Sequence, residues 1–238
     1  MATATKTAAV KAAPAATPTT ETANPHQPSR AYMVQSVDEE TGDLTETPRF
    51  RYLPGHPKQI RADLKAGVFN VNGQTVLGKT ISFIPMALRI FTDNILNMGR
   101  KTWAEIYFTD PAGHVCAVLF HGYSVENLQK LNAELFYDDL ALSEVLLTIT
   151  PAKKQTEKDG KPATYYIAEF SYVPAEPAEV QARREFAEDF DLYREETLTG
   201  TAETRIVQGY RLPARYQPEQ LQAQLAAAPA TQEATDTQ

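Results

Sequence analysis

Residues Trp103 to Gly122 read WAEIYFTDPAGHVCAVLFHG, and this stretch decides the fold. It predicts two strands folded back through Asp110-Pro111-Ala112-Gly113. Proline at the second turn position and glycine at the fourth suit a type I turn closed by a left-handed glycine. That loop pairs Asp110 with His114 and sets the register of the whole ribbon. Ala104, Ile106 and Phe108 then share one face with Cys116, Val118 and Phe120. Trp103, Glu105, Tyr107 and Thr109 share the other with Val115, Ala117, Leu119 and His121. A half-buried antiparallel ribbon needs such a contrast between an apolar and a mixed face. The apolar face is expected in the core, with Cys116 as filler opposite Phe108, and the aromatic-polar face is a candidate working surface.

Outward from the ribbon, Leu77–Phe91 (LGKTISFIPMALRIF) is rich in β-branched and aromatic residues and predicts a strand that bends or breaks at Pro85. After the ribbon, Ser124 is a candidate N-cap, and Leu128, Leu131 and Leu135 make a helical stripe. Glu144–Pro151 and Pro162–Val173 form a second hairpin around Asp159-Gly160. Upstream, Pro54, Gly55 and Pro57 forbid a long helix, and Val68, Phe69 and Val71 suggest a short strand ending at an Asn72-Gly73 turn. Residues 1–45, rich in Ala, Thr and Pro, predict a disordered N-terminal tail. Residues 176–198 predict an acidic amphipathic helix with Phe186, Phe190 and Tyr193 on one face. A short strand and a weak helix are expected over 199–228, and a disordered tail over 229–238.

The order strand, two-stranded hairpin, helix, two-stranded hairpin from Leu77 to Val173 resembles an OB-fold, a five-stranded Greek-key barrel with its helix between strands three and four. The fold class expected is therefore mainly β, with residues 48–175 as an OB-like β-barrel, extra N-terminal strands and C-terminal helices. The resemblance rests on element order and covers about two fifths of the chain.

The chain of 238 residues carries a net charge of −7, so it is not a simple basic nucleic-acid binder. The charge is uneven. Residues 49–101 hold nine Lys and Arg against two Asp and Glu, whereas 102–150 and 174–238 are acidic. A polyanion-facing side and an acidic arm are expected. The single Cys116 excludes an intramolecular disulfide and suits a reducing, cytoplasmic setting. No apolar run has the length of a membrane span, and the N-terminus lacks the apolar centre of a secretory signal.

What the OB resemblance implies is a surface for single-stranded nucleic acid on the second and third strands and the loops beside them. In this chain those positions are Trp103 and Tyr107, the loop with Arg100 and Lys101, and the arm with Lys153, Lys154, Lys158 and Lys161, extended by Tyr165. Stacking on aromatic rings tolerates any base, and the cations supply a salt-sensitive phosphate term. The expected partner is single-stranded DNA, or RNA, in replication, recombination or repair. Protein partners are expected at the acidic helix, 185–196. The alternative is a structural or protein-interaction module in which the aromatic face packs against Phe186, Phe190 and Tyr193, or against another subunit.

Residues 73–80, GQTVLGKT, match the phosphate-binding-loop pattern letter for letter. That loop needs a helix starting at Lys79, and the residues that follow are Ile-Ser-Phe-Ile-Pro85. Nucleotide binding there is a remote alternative. His114 and Cys116 share a strand face, but His121 has the other parity and no C-x-x-C or H-E-x-x-H occurs, so no metal site is expected. Neither a cofactor nor a catalytic residue is expected, and the chain is read as a non-enzyme.

Overall fold

The computed structural model describes residues 28–158, 161–194 and 199–205, and side chains for 28–157, 162–194 and 199–203. The chain is mainly β. Its centre is β7 (Pro85–Asp93), β8 (Lys101–Thr109) and β9 (Val115–His121), paired antiparallel in that order. Trp103 stands opposite His121 and Phe108 opposite Cys116, as the turn predicts. Asp110 sets that turn. Its Oδ1 accepts the N–H groups of Ala112 (3.0 Å) and His114 (2.9 Å), and Gly113, at φ 80°, donates to Asp110 O at 2.9 Å. A Cβ at Gly113 would stand 2.6 Å from Arg49 O, because residues 49–51 run directly over the turn.

Beyond β9 lie β3 (Lys58–Asp63), β4 (Val68–Val71) and β5 (Thr75–Gly78), and β12 (Glu203–Arg205) adds to the far edge of β7. The seven-stranded order is β12-β7-β8-β9-β3-β4-β5. β3 lies parallel to β9, with Lys58 opposite Cys116, in a stretch where the sequence excluded a long helix and marked a strand only at Val68–Val71. Its alternation of Lys58, Ile60 and Ala62 with Gln59, Arg61 and Asp63 was masked by the Gly55 and Pro57 breakers just before it.

A second sheet joins β6 (Ile81–Phe83), β10 (Val145–Lys158) and β11 (Lys161–Pro174) in the order β11-β10-β6. β6 and β7 are one run of chain broken next to Pro85, where proline removes a ladder donor, and the register slips between Pro85 and Ala87. The run therefore serves both sheets. Helix α1 (Tyr123–Tyr137) packs Leu128, Leu131 and Leu135 into the core between them. Ser124, the expected N-cap, instead accepts the Ala168 N–H at 3.0 Å and ties the helix start to β11.

The sheets do not close into the barrel expected from the sequence. The seam between β9 and β11 holds β3, whose end is tied to β11 by Tyr166 N–H donating to Leu64 O at 3.0 Å. The N-terminal boundary differs as well. β1 (Met33–Val37) and β2 (Leu44–Pro48) form a hairpin where an unordered tail was expected up to residue 45. Helix α2 (Pro177–Asp189) holds that end of the chain: Asp189 pairs with Arg30 (2.6 Å) and accepts the Tyr32 hydroxyl (2.8 Å), and Glu185 accepts the Ala31 N–H (2.6 Å). Phe186 packs edge-on to Tyr32 and Phe50. α2 stops at Asp189 rather than 198, and Phe190–Arg194 continues without helix. The short strand expected over 206–213, the weak helix after it and the tails at both extremes lie outside the described residues.

Candidate nucleic-acid interface

β8 is buried on both faces. Ala104, Ile106 and Phe108 face the main core, as expected. The opposite face, expected to be a working surface, is covered as well: Trp103 is 1% exposed and Tyr107 0%. The physical reason is the area involved. Two large aromatic rings side by side would leave roughly 300–500 Å² of mostly apolar surface in water. The segment after α2 crosses this face and covers it. The Tyr193 ring meets Tyr107 edge-on at 5.5 Å, and the Arg194 N–H donates to the Tyr107 hydroxyl at 3.2 Å. Trp103 packs with Phe91 and Ile95, and its Nε1 donates to Asp93 O at 3.2 Å. Neither ring presents a face on which a base could stack. Over Tyr107 the covering element is the segment with Tyr193 and Arg194, not the α2 helix itself.

Charge holds the cover in place. Glu105, fully buried on β8, accepts Arg89 Nε at 2.8 Å and Arg89 Nη2 at 2.6 Å on one oxygen, and Arg194 Nη2 on the other. Arg89 Nη2 also donates to Arg194 O at 2.9 Å. Burial lowers the pKa of the Arg194 guanidinium, but the charge and hydrogen bond of Glu105 outweigh this and raise it, so Arg194 stays charged. Burial, aided by the Glu105 charge, pushes the Tyr107 phenol up, so it stays neutral. Farther on, Thr199 N–H donates to Asp93 at 2.7 Å, and Arg100 is bound to Glu203 and to Thr201 O.

The other residues expected to bind nucleic acid are scattered. Arg100 is held by the C-terminal segment. Lys154 pairs with Glu169 at 3.1 Å, and Lys153 is exposed. The side chains of Lys158 and Lys161 lie outside those described. Lys101, at the start of β8, borders a hollow of about 310 Å³ with Thr102, Gly122 and Gln129. Tyr165 lines a larger groove, described next. Glu185 and Asp189 of the acidic segment are engaged with residues 30–32, so these two carboxylates work within the chain. Glu195 and Glu196 lie outside the described residues.

The structure does form a groove. It measures about 1220 Å³ and runs between β3, the loop after β7, the end of β9 and β11. Tyr123, Tyr165 and Tyr166 line it with Arg61, Lys65 and Arg194. Tyr166 lies over Gly67, where an added Cβ would come within 2.7 Å of the ring. Asp63 also lines the groove, but its Oδ1 is bound to the N–H groups of Lys65 and Ala66 (both 3.1 Å). His121 stands at the groove edge-on to Trp103 at 5.0 Å. Burial, aided by the Lys101 charge, lowers its pKa.

Of the residues expected at the working surface, Tyr165, Trp103 and His121 border this groove, whereas Tyr123, Tyr166, Arg61, Lys65 and Arg194 were not expected there. Arg61 had a signal in the alternation of β3 and Lys65 lies in the turn just after it, whereas Arg194 reaches the groove only because the chain turns back after α2.

Residues 73–80 do not form a phosphate-binding loop. They make the Asn72-Gly73 turn, edge strand β5 and the exposed Lys79, and they lead into strand β6 rather than a helix. Around Asp110, Lys58 Nζ sits at 2.7 Å and His114 Nδ1 at 3.2 Å. Burial, aided by the Asp110 charge, pushes the nearby Cys116 thiol up to about 12, so it is inert as a nucleophile. Among the described residues no group of three His, Cys, Asp or Glu side chains is placed to hold a metal ion, and no helix is long and apolar enough to cross a membrane. No protein-family model, curated protein or solved structure matches this chain.

Proposed function

We propose that this protein binds single-stranded nucleic acid, DNA in the first place, without sequence preference and without catalysing a reaction. The observation that carries the proposal is the groove of about 1220 Å³, which brings three tyrosines together with Arg61, Lys65 and Arg194. Base stacking on aromatic side chains contributes about 1–3 kcal/mol per base, and basic groups add a salt-dependent phosphate term. The strand is placed in this groove rather than on Trp103 and Tyr107, with Lys101 and Lys153 as outlying phosphate contacts.

The connectivity supports an OB-like origin for the site. The run 81–93 is shared between two sheets, helix α1 follows the third strand, and the β10–β11 arm returns beside the groove. In this view β3 is an N-terminal addition that fills the seam between β9 and β11. Work on single strands in replication, recombination or repair, in the cytoplasm, is the setting proposed.

The test is a titration of fluorescein-labelled dT oligomer and of duplex DNA, read by anisotropy at several salt concentrations. Binding to dT that weakens with salt and exceeds binding to duplex is expected. No anisotropy change with dT at low salt would refute the proposal. That result would favour a protein-interaction module, a second reading supported by the burial of Trp103 against Phe91 and Ile95 and of Tyr107 under Tyr193 and Arg194.

A further inference from the structure

Among the described residues, the cluster under the covering segment holds more positive than negative charge. Arg89 (1% exposed) and Arg194 (side chain 16% exposed) both direct their ion pairs to one carboxylate, Glu105 (0%). Two nitrogens of the cluster, Arg89 Nη1 and Arg194 Nε, are buried without an acceptor among the described residues. The other described carboxylates nearby are otherwise engaged. Asp93 binds Thr199, and Asp191 accepts the Tyr193 N–H at 3.3 Å. Arg89 is enclosed between the Phe91 and Tyr193 rings, with its carbon Cζ 5.2 and 5.7 Å from their centroids. Arg194, by contrast, lines the groove. A desolvated guanidinium without its own counter-charge is costly, and its planar fork matches the oxygens of a phosphate.

We propose that Arg194 anchors a phosphate group in the groove, so that the oxoanion serves as the second negative charge of the Arg89–Glu105–Arg194 cluster. The ligand chemistry is a phosphate oxoanion, from the backbone of a bound strand or from free pyrophosphate. Only the first of these sources rests on the function proposed above. Arg61 and Lys65, on the β3 side of the same groove, would take neighbouring phosphates of the strand, while Arg194 holds the desolvated one.

The experiment uses the full chain with Arg194→Gln and Arg194→Lys. Each protein is titrated with inorganic pyrophosphate by calorimetry, and with labelled dT oligomer across salt concentrations. Circular dichroism checks that each variant is folded. Arg194→Gln is expected to lose pyrophosphate binding, to weaken dT binding about tenfold and to make the slope of log K against log salt shallower by about 0.7, the increment for one single-strand phosphate contact. Arg194→Lys keeps the charge and loses the fork, so its salt slope should match the parent while its pyrophosphate affinity drops several-fold. If Arg194→Gln fails to fold, the lysine variant decides by that affinity.

Pyrophosphate bound equally by the parent and the variants, or not bound by the parent, overturns the anchor. So does a dT affinity and salt slope unchanged in Arg194→Gln. Pyrophosphate binding that depends on Arg194, with no dT binding by the parent, keeps the anchor and discards the single-strand function.

Discussion

Changing Glu105 to Gln isolates the charge that holds the covering segment. The carboxylate is fully buried and receives three guanidinium hydrogen bonds, two from Arg89 and one from Arg194. Glutamine keeps one carbonyl oxygen, enough for a neutral hydrogen bond to one arginine, and leaves two positive charges facing each other out of water. Breaking a buried pair in this way costs about 3–5 kcal/mol. For a domain of this size each kcal/mol lowers Tm by about 2–4 °C, so a drop of roughly 6–20 °C is expected. The same loss should appear in urea unfolding as a lower midpoint at unchanged m.

Arg194→Gln should be much milder, about 1–2 kcal/mol, because Arg89 and Glu105 remain as a neutral pair and only one charged hydrogen bond is lost. In the double variant the two changes should couple by about 1 kcal/mol or more, as expected for groups in direct contact. Equal losses for Glu105→Gln and Arg194→Gln, or strict additivity in the double variant, would show that the cluster is not bound by a shared carboxylate.

Three further outcomes follow from specific contacts. Burial raises the Asp110 carboxyl, but the Lys58 ammonium and His114 pull it down from 3.8 to about 2 overall. Its contribution of roughly 2 kcal/mol is then present above pH 4 and lost as pH falls from about 4 to about 2; the stability gap between the parent and Asp110→Asn should shrink over that interval, and a gap constant with pH would contradict it. Gly67→Ala places a methyl where the Tyr166 ring lies and strains a backbone at φ 68°, so it should cost about 1–3 kcal/mol in urea unfolding and weaken dT binding as Tyr166 is displaced; binding equal to the parent's would exclude Tyr166 from the interface. Trp103, the chain's one tryptophan, should emit in the blue and resist acrylamide, and protonation of the adjacent His121 should quench it with a midpoint below the ordinary 6.5; red-shifted, freely quenched emission would contradict its burial.

The parts of the fold that were legible in the sequence are those whose cause is local. Asp110-Pro-Ala-Gly113 specifies its turn through an Asp side chain, a fixed proline φ and a left-handed glycine, and with period-two alternation this sets the register from Trp103–His121 to Thr109–Val115. The break at Pro85 and the Asn72-Gly73 turn have equally local causes. β3 was missed because it pairs parallel with β9, a partner more than 50 residues away, and its own pattern is short and follows two breakers. The β1–β2 hairpin was missed for a similar reason: part of what orders that end of the chain is the set of contacts that Glu185 and Asp189 make across more than 150 residues.

The face of Trp103 and Tyr107 separates what each level decides. Alternation along WAEIYFT established that these two residues share one face of the ribbon, and the structure has them there. Alternation carries no information about what lies above that face. A solvent-exposed stacking surface and a second core layer give the same period of two. Only the tertiary packing decided between them, Phe91 and Ile95 against Trp103 and the return of Asp191–Arg194 over Tyr107, held by Arg89 and Glu105, because large aromatic rings gain more from burial than from water. The same return brought Arg194 to a groove whose walls come from four separate parts of the chain. The sequence by itself determined the ribbon and its two faces; the tertiary structure decided which face is interior and where a ligand has room.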